Sequence, residues 1–321
     1  GRNPPGNEVE GREIRMTYRE AVAHGEKVLE LSHIADAKTD AWLLLEMGCK
    51  IDRKFYYMHM EDDLPDDLLK EYELAIKKRA EHIPLQYIVG ETEFMGLKFK
   101  VNSNVLIPRQ DTETLVEEAL KTVKPGMKVL DMCTGSGCII ISILHNVEGV
   151  KGYAVDISKQ AVNVAKENAK LNEVPVLFER SDLFEMVTEK FDVIVSNPPY
   201  YVDSLLSPDE GRNTARHAAG LPFGELAAAV VRLLAPGGRF ALVLPPVEMQ
   251  RFRSAALGRL YPVRWTEVYS TPRRGVRRIL AEFCTTPVPP PEPSRLVIEL
   301  GGSDSYTEDY RRLTGDFYLK F

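Results

Sequence analysis

The sequence predicts an α/β fold: a parallel sheet covered by helices on both faces, preceded by a small helical domain and a β-hairpin linker. Three observations lead there. From residue 127 to 245, short apolar runs alternate with segments of helical period, the pattern of strand–helix–strand units. Two glycines, Gly135 and Gly137, stand just behind the first of those runs. Residues 16–83, by contrast, show helical period and no strand-like alternation.

Each element follows from local chemistry. Residues 1–15 are polar with Gly and Pro, a loose lead-in by expectation and unlike a signal peptide. TYREAVAHGEKVLEL has apolar positions at helical spacing. KTDAWLLLEMGC has a polar start, an apolar body and Gly48 at its expected stop. LPDDLLKEYELAIKKRAEH opens on Pro65 and acids and closes on bases, as the helix dipole favours. These segments make a small helical domain over 16–83. Pro84 ends it, and in PLQYIVGETEFMGLKFKVN two β-rich runs flank Gly96, so a hairpin is expected over 84–107. PRQDTETLVEEAL starts the main domain, 108–321, with a helix. MKVLDM, VKGYAVDI, VPVLFERSD and FDVIVSN read as strands, with CIIISILHNV and SKQAVNVAKENAKLN as helices between them. LPFGELAAAVVRLLAPGG reads as a helix ending at Gly237–Gly238, and RFALVLP as the strand after it. VRWTEVYST and RRILAEFC close the sheet, and TTPVPPPEPS is extended.

Composition narrows the function classes. The chain has 321 residues, is 44% hydrophobic and carries a net charge of −6, which argues against strong unspecific nucleic-acid binding. It has no apolar run long enough to span a membrane. Four scattered cysteines, without a histidine at ligand spacing, read as reduced thiols of a cytoplasmic protein with no metal site. The average conceals an asymmetry. Residues 201–321 hold 15 Arg and 1 Lys against 13 acids, whereas residues 1–200 hold 25 bases against 34 acids. Thirteen isoleucines precede residue 200, and only Ile279 and Ile298 follow it. The two parts therefore look as though they have different histories.

The glycine loop VLDMCTGSGCII opens on Asp131. Glycines let the backbone turn tightly and approach a ligand, yet the third glycine of a dinucleotide fingerprint is absent. Asp156 ends the next strand, where a carboxylate can accept from ribose hydroxyls. Asp182 ends the third, near where an adenine would lie. Three acids at successive strand ends around one such loop fit S-adenosylmethionine, and hence a Rossmann-like methyltransferase domain. Asp131, Cys133, Thr134, Gly135, Gly137, Asp156, Ile157, Asp182 and Leu183 are the expected cofactor residues.

The strand FDVIVS ends on Asn197, followed by Pro198, Pro199, Tyr200 and Tyr201. Proline holds the preceding residue extended and lacks an N–H of its own, so backbone carbonyls nearby stay free to accept. The Asn197 oxygen and such a carbonyl suit the two hydrogens of a substrate –NH2, and Tyr200 offers a flat wall for a planar group. Asn197, Pro198, Pro199 and Tyr200 are the expected catalytic set.

From about 16 to 200 the chain resembles the HemK/PrmC family of release factor glutamine methyltransferases. The helical domain, PLQYIVGETEFMGLKFKVNSNVLIPRQDTETLVE, VLDMCTGSGCI and NPPY carry the likeness. It implies that the helical domain docks a peptide chain release factor, that Asp131, Gly135, Asp156, Asp182 and Asn197 hold the cofactor, and that Asn197 through Tyr200 grip a glutamine amide. After Tyr200 the chain is similar instead to the tRNA(Val) adenine N-6 methyltransferase family. Ala215, Arg216 and His217, then Phe317 to Phe321, carry that second likeness, and RRGVRR (Arg273, Arg274, Arg277, Arg278) offers phosphate contacts. The chain looks like the front of one amine methyltransferase joined to the back of another. Three readings follow: methylation of a release factor glutamine, methylation of a tRNA adenine, or cofactor binding with little activity.

Overall fold

Thr17 starts the first helix by a reciprocal cap: its hydroxyl accepts from the Glu20 N–H, and the Glu20 carboxylate accepts from the Thr17 N–H. The computed structural model describes residues 15–181, 187–199, 222–300 and 306–314. Residues 1–14, Asp182, Leu183, Tyr200, Tyr201, residues 215–217 and residues 317–321 lie outside the described residues, so the expectations placed on them go no further. Two compact units divide at Gly90 and Glu91.

The first unit holds α1 (Tyr18–Leu31), α2 (Ala37–Cys49), α3 (Arg53–His59), α4 (Asp66–Ala80) and α5 (Leu85–Val89). Leu29, Leu44, Leu45, Leu64, Tyr72 and Ile76 form its core. Gly25 sits mid-helix because Tyr72 lies against it: a Cβ there would stand 2.2 Å from the Tyr72 hydroxyl. That hydroxyl donates to the Ala41 carbonyl. Two expectations are corrected here. Helix α2 runs through Gly48 and ends when Lys50 turns left-handed at φ 53°. The run LQYIV is helix α5 rather than strand. Pro84 precedes its first turn, and Gly90 stops it at φ 84°. The hairpin begins only at Glu91.

The second unit opens with that hairpin, β1 (Glu91–Phe94) and β2 (Leu97–Lys100), paired Phe94 to Leu97 across Met95–Gly96. Then come α6 (Gln110–Leu120), β3 (Lys128–Met132), α7 (Cys138–Asn146), β4 (Lys151–Asp156), α8 (Lys159–Leu171), β5 (Val176–Arg180) and β6 (Phe191–Ser196). They match the predicted alternation. After residue 222 follow α9 (Phe223–Leu233), β7 (Leu234–Leu244), α10 (Pro246–Ala255), β8 (Tyr261–Tyr269), β9 (Val276–Cys284), β10 (Ser294–Val297) and α11 (Glu308–Thr314). Helix α9 ends at Leu233, four residues short of the expected Gly237. Leu234 already pairs with Phe191, and residues 235–238 bulge out before Arg239 pairs with Val193. Helix α10 was not anticipated.

The sheet order is β10-β8-β9-β7-β6-β3-β4-β5. All neighbours run parallel except at β9, which is antiparallel to β7 and β8. Alternate residues of the central strands enter opposite cores, as a period of two requires. Val193 and Val195 join α6, α7 and the hairpin residues Phe94 and Phe99 on one face. Ile194 joins Leu226, Val230, Met249 and Phe252 of α9 and α10 on the other. Strand β7, from the arginine-rich part, lies directly beside β6 in this shared sheet. Strands from both sides of the composition break therefore share one continuous sheet. This is an open, doubly wound α/β sheet, and a helical unit precedes it in the sequence.

Candidate active site

Strand β3 is the switch point of the sheet: β4 lies on one side of it and β6 on the other. In open α/β sheets, ligands bind beyond the carboxyl ends of strands at such a point. Met132 is level with Val155 of β4 and with Ser196 of β6. Cys133, Asp156 and Asn197, the next residue on each strand, thus emerge side by side, and the glycine loop and the NPPY element are neighbours.

The loop is shaped from within. Asp131 is fully buried, and its Oδ2 accepts from the Thr134 hydroxyl at 2.7 Å. Burial pushes the Asp131 carboxyl up to about 7. Cys133 takes φ 62°, a left-handed value that disfavours side chains, and burial raises its thiol above the ordinary range. Gly135 and Gly137 follow at φ 55° and 81°. At Gly137 a Cβ would press on Ile141 and Ala165, so this glycine admits α7 and α8 close to the turn. At Gly135 a Cβ would meet nothing within 4 Å, so the backbone there borders open space. Asp156 closes the loop: its Oδ2 accepts from the Gly135 N–H and its Oδ1 from the Ser158 N–H, each at 2.9 Å. Burial raises its pKa too. A carboxylate has about four acceptor sites, so two amide bonds leave capacity for hydroxyls. Ile157, beside it, is 46% exposed, an uncovered apolar side chain next to that carboxylate. These features fit S-adenosylmethionine: open space over Gly135, a carboxylate with spare acceptors and an apolar platform.

Asn197 is half-buried, Pro198 buried and Pro199 exposed. The Asn197 amide Nδ2 donates to Thr112 Oγ1 at 2.9 Å. Ser196, just before it, is locked by its hydroxyl donating to the Met132 carbonyl.

A family model described as the PrmC N-terminal domain matches residues 20–90. A second, the methyltransferase small domain, matches residues 109–245, and so passes through the composition break near residue 200. A release factor glutamine methyltransferase of Moorella thermoacetica is 35% identical over 75% of this chain and 90% of its own length. One from Cereibacter sphaeroides is 37% identical over 67% of this chain and 80% of its own length. One from Flavobacterium psychrophilum is 39% identical over 50% of this chain, and the match spans 58% of that relative. The chain belongs to the release factor glutamine methyltransferase family. It is an S-adenosylmethionine-dependent N-methyltransferase.

Part of the arginine cluster is engaged within the protein. Arg277 and Arg278 both approach the Asp111 carboxylate, at 3.3 and 3.5 Å. They are counter-ions to a buried acid on α6; Arg278 is half-buried there, while Arg277 stays exposed, as Arg273 and Arg274 are. Sequence reasoning also missed two site residues. Thr112 looks like an ordinary helix position until the fold brings it to Asn197. Asn168 on α8 is fully buried: its Nδ2 donates to the carbonyls of Lys100 and Ser136, and its Oδ1 accepts from the Lys100 N–H at 2.7 Å. It ties the end of the hairpin to the glycine loop. A buried Asn in an otherwise amphipathic helix was the available signal. No helix among the described residues is long and apolar enough to cross a membrane. No group of three or more metal-ligating side chains is found among them either.

Proposed function

We propose that this chain transfers a methyl group from S-adenosylmethionine to the side-chain amide of a glutamine in a peptide chain release factor. The observation that carries the acceptor chemistry is Asn197: its nitrogen end is occupied by Thr112, so its oxygen end is the one left to receive hydrogens. An amide –NH2 has two to give, and holding it aims the weakly nucleophilic nitrogen. When bound, S-adenosylmethionine supplies an electrophilic methyl group on a sulfonium. Asp156 and Ile157 hold its nucleoside, Gly135 and Gly137 let the backbone approach it, and Asp131 with Thr134 keep the loop in shape. The helical unit, matched as the PrmC N-terminal domain, docks the release factor. The tRNA reading loses ground because half of its arginine cluster is committed to Asp111.

Labelled S-adenosylmethionine offered with purified release factor, and separately with unmodified tRNA, tests the proposal. Label should enter the release factor, at glutamine, and label in tRNA alone would refute it. The Asn197→Ala variant should lose at least about 100-fold in kcat while still binding cofactor. Full activity in that variant would show that Asn197 does not hold the acceptor.

A further inference from the structure

We propose that Thr112 is a positioning residue for the acceptor, acting through the Asn197 amide. The inference rests on the reading that Asn197 receives the acceptor's hydrogens. A carboxamide has two ends of nearly equal size and opposite hydrogen-bonding sense. With its oxygen toward the substrate, Asn197 accepts from an –NH2. Turned by half a rotation it would set two donors against two donors, and nothing in its shape prevents that turn. A partner at the far end has to hold the amide in place. Thr112 Oγ1, 2.9 Å from Nδ2, is that partner: it accepts from the nitrogen end and anchors the side chain with the oxygen end turned away from it.

The partner is itself held. Thr112 is only 3% exposed, in the first turn of α6, and its N–H donates to the Arg109 carbonyl. Its neighbours on that turn are both tied down. Asp111 faces Arg277 and Arg278. Glu113 accepts from the Met95 N–H at 3.2 Å and from the Tyr310 hydroxyl at 3.1 Å. The helical turn that carries Thr112 is thus tied down on both sides before any substrate arrives, which is preorganisation of a kind that raises kcat rather than affinity. Threonine suits the post because its branched Cβ restricts χ1.

The test compares Thr112→Val, Thr112→Ser, Asn197→Ala and the Thr112→Val/Asn197→Ala double variant in the full chain, with release factor as acceptor. Kinetics, cofactor affinity by calorimetry and Tm are read for each. Thr112→Val should lower kcat about 10- to 100-fold, with cofactor Kd unchanged within about twofold. Thr112→Ser should stay within about threefold of the parent, and the double variant should be no slower than Asn197→Ala. Unchanged kcat in Thr112→Val, equal damage in Thr112→Ser, or multiplying effects in the double variant would each overturn the proposal. If Thr112→Val does not fold, Thr112→Ala against Thr112→Ser, which differ by one oxygen, gives the same decision. Full activity in Asn197→Ala would refute the underlying reading instead, and lost activity there with normal Thr112→Val would refute only the role of Thr112.

Discussion

The methyltransferase unit is assembled from two chemically unlike stretches. Up to residue 199 it is rich in acids and isoleucine; after residue 222 it is rich in arginine. In the fold the two meet along α6. The front stretch contributes Asp111, Glu113 and Glu118. The back stretch answers with Arg277 and Arg278 on Asp111, Tyr310 on Glu113, and Arg264 bridging Glu118 and Glu282. Charge that is lopsided along the sequence is therefore partly neutralised inside the molecule. An arginine cluster read as a ligand contact must first be weighed against acids more than a hundred residues away.

Three experiments would break or sharpen that contrast. The largest effect is expected at Glu113, which is 2% exposed and takes hydrogen bonds from both the hairpin and the C-terminal helix. Glu113→Ala strands two buried donors and should cost about 2–4 kcal/mol in urea unfolding. A cost below about 0.5 kcal/mol would mean that the two stretches meet only superficially. Next is Asp131, which is fully buried against the Thr134 hydroxyl. Its folded pKa of about 7 lies above the unfolded value of about 3.9. The folded protein keeps a proton that the unfolded chain releases, so this group's contribution is present below about pH 4 and is lost as pH rises toward 7. Asp131→Asn should give a shallower fall of Tm between those pH values, and an unaltered pH profile would contradict the assignment. The smallest effect belongs to the exposed pair. Arg273→Ala/Arg274→Ala should change stability by less than about 0.5 kcal/mol and leave release factor methylation within about twofold. A tenfold loss of methylation would place these two arginines on the acceptor.

Much of this was legible beforehand. Asp131, the glycines and Asp156 fall at strand ends because apolar runs in a parallel sheet stop abruptly where the ligand crevice begins. The order of strands and helices from Lys128 to Ser196 follows the same rule. The illegible parts share one cause, local signals overruled by neighbours. Tyr87, Ile88 and Val89 favour strands by type, yet Pro84 and Gly90 frame them as a helix. Gly48 suggests a stop, but Lys50 makes it. Gly237 and Gly238 suggest a helix end, whereas Leu234 is drawn into the sheet by Phe191. Helix α10 buries Glu248, Met249 and Phe252, too few apolar positions to stand out. Thr112 carried no local mark, because its meaning depends on a residue 85 positions later.

The small hairpin invites being regarded as a spacer between helical and catalytic parts. The Asn168 side chain argues otherwise. Trimming the chain to residue 108, where the sequence suggests that the main domain begins, would remove both Lys100 partners of that amide and the Met95 N–H on Glu113. Trimming to residue 91 removes neither. The outer wall of the catalytic unit was built seventeen residues upstream of where its sequence pattern begins, and the hairpin is one of its bricks.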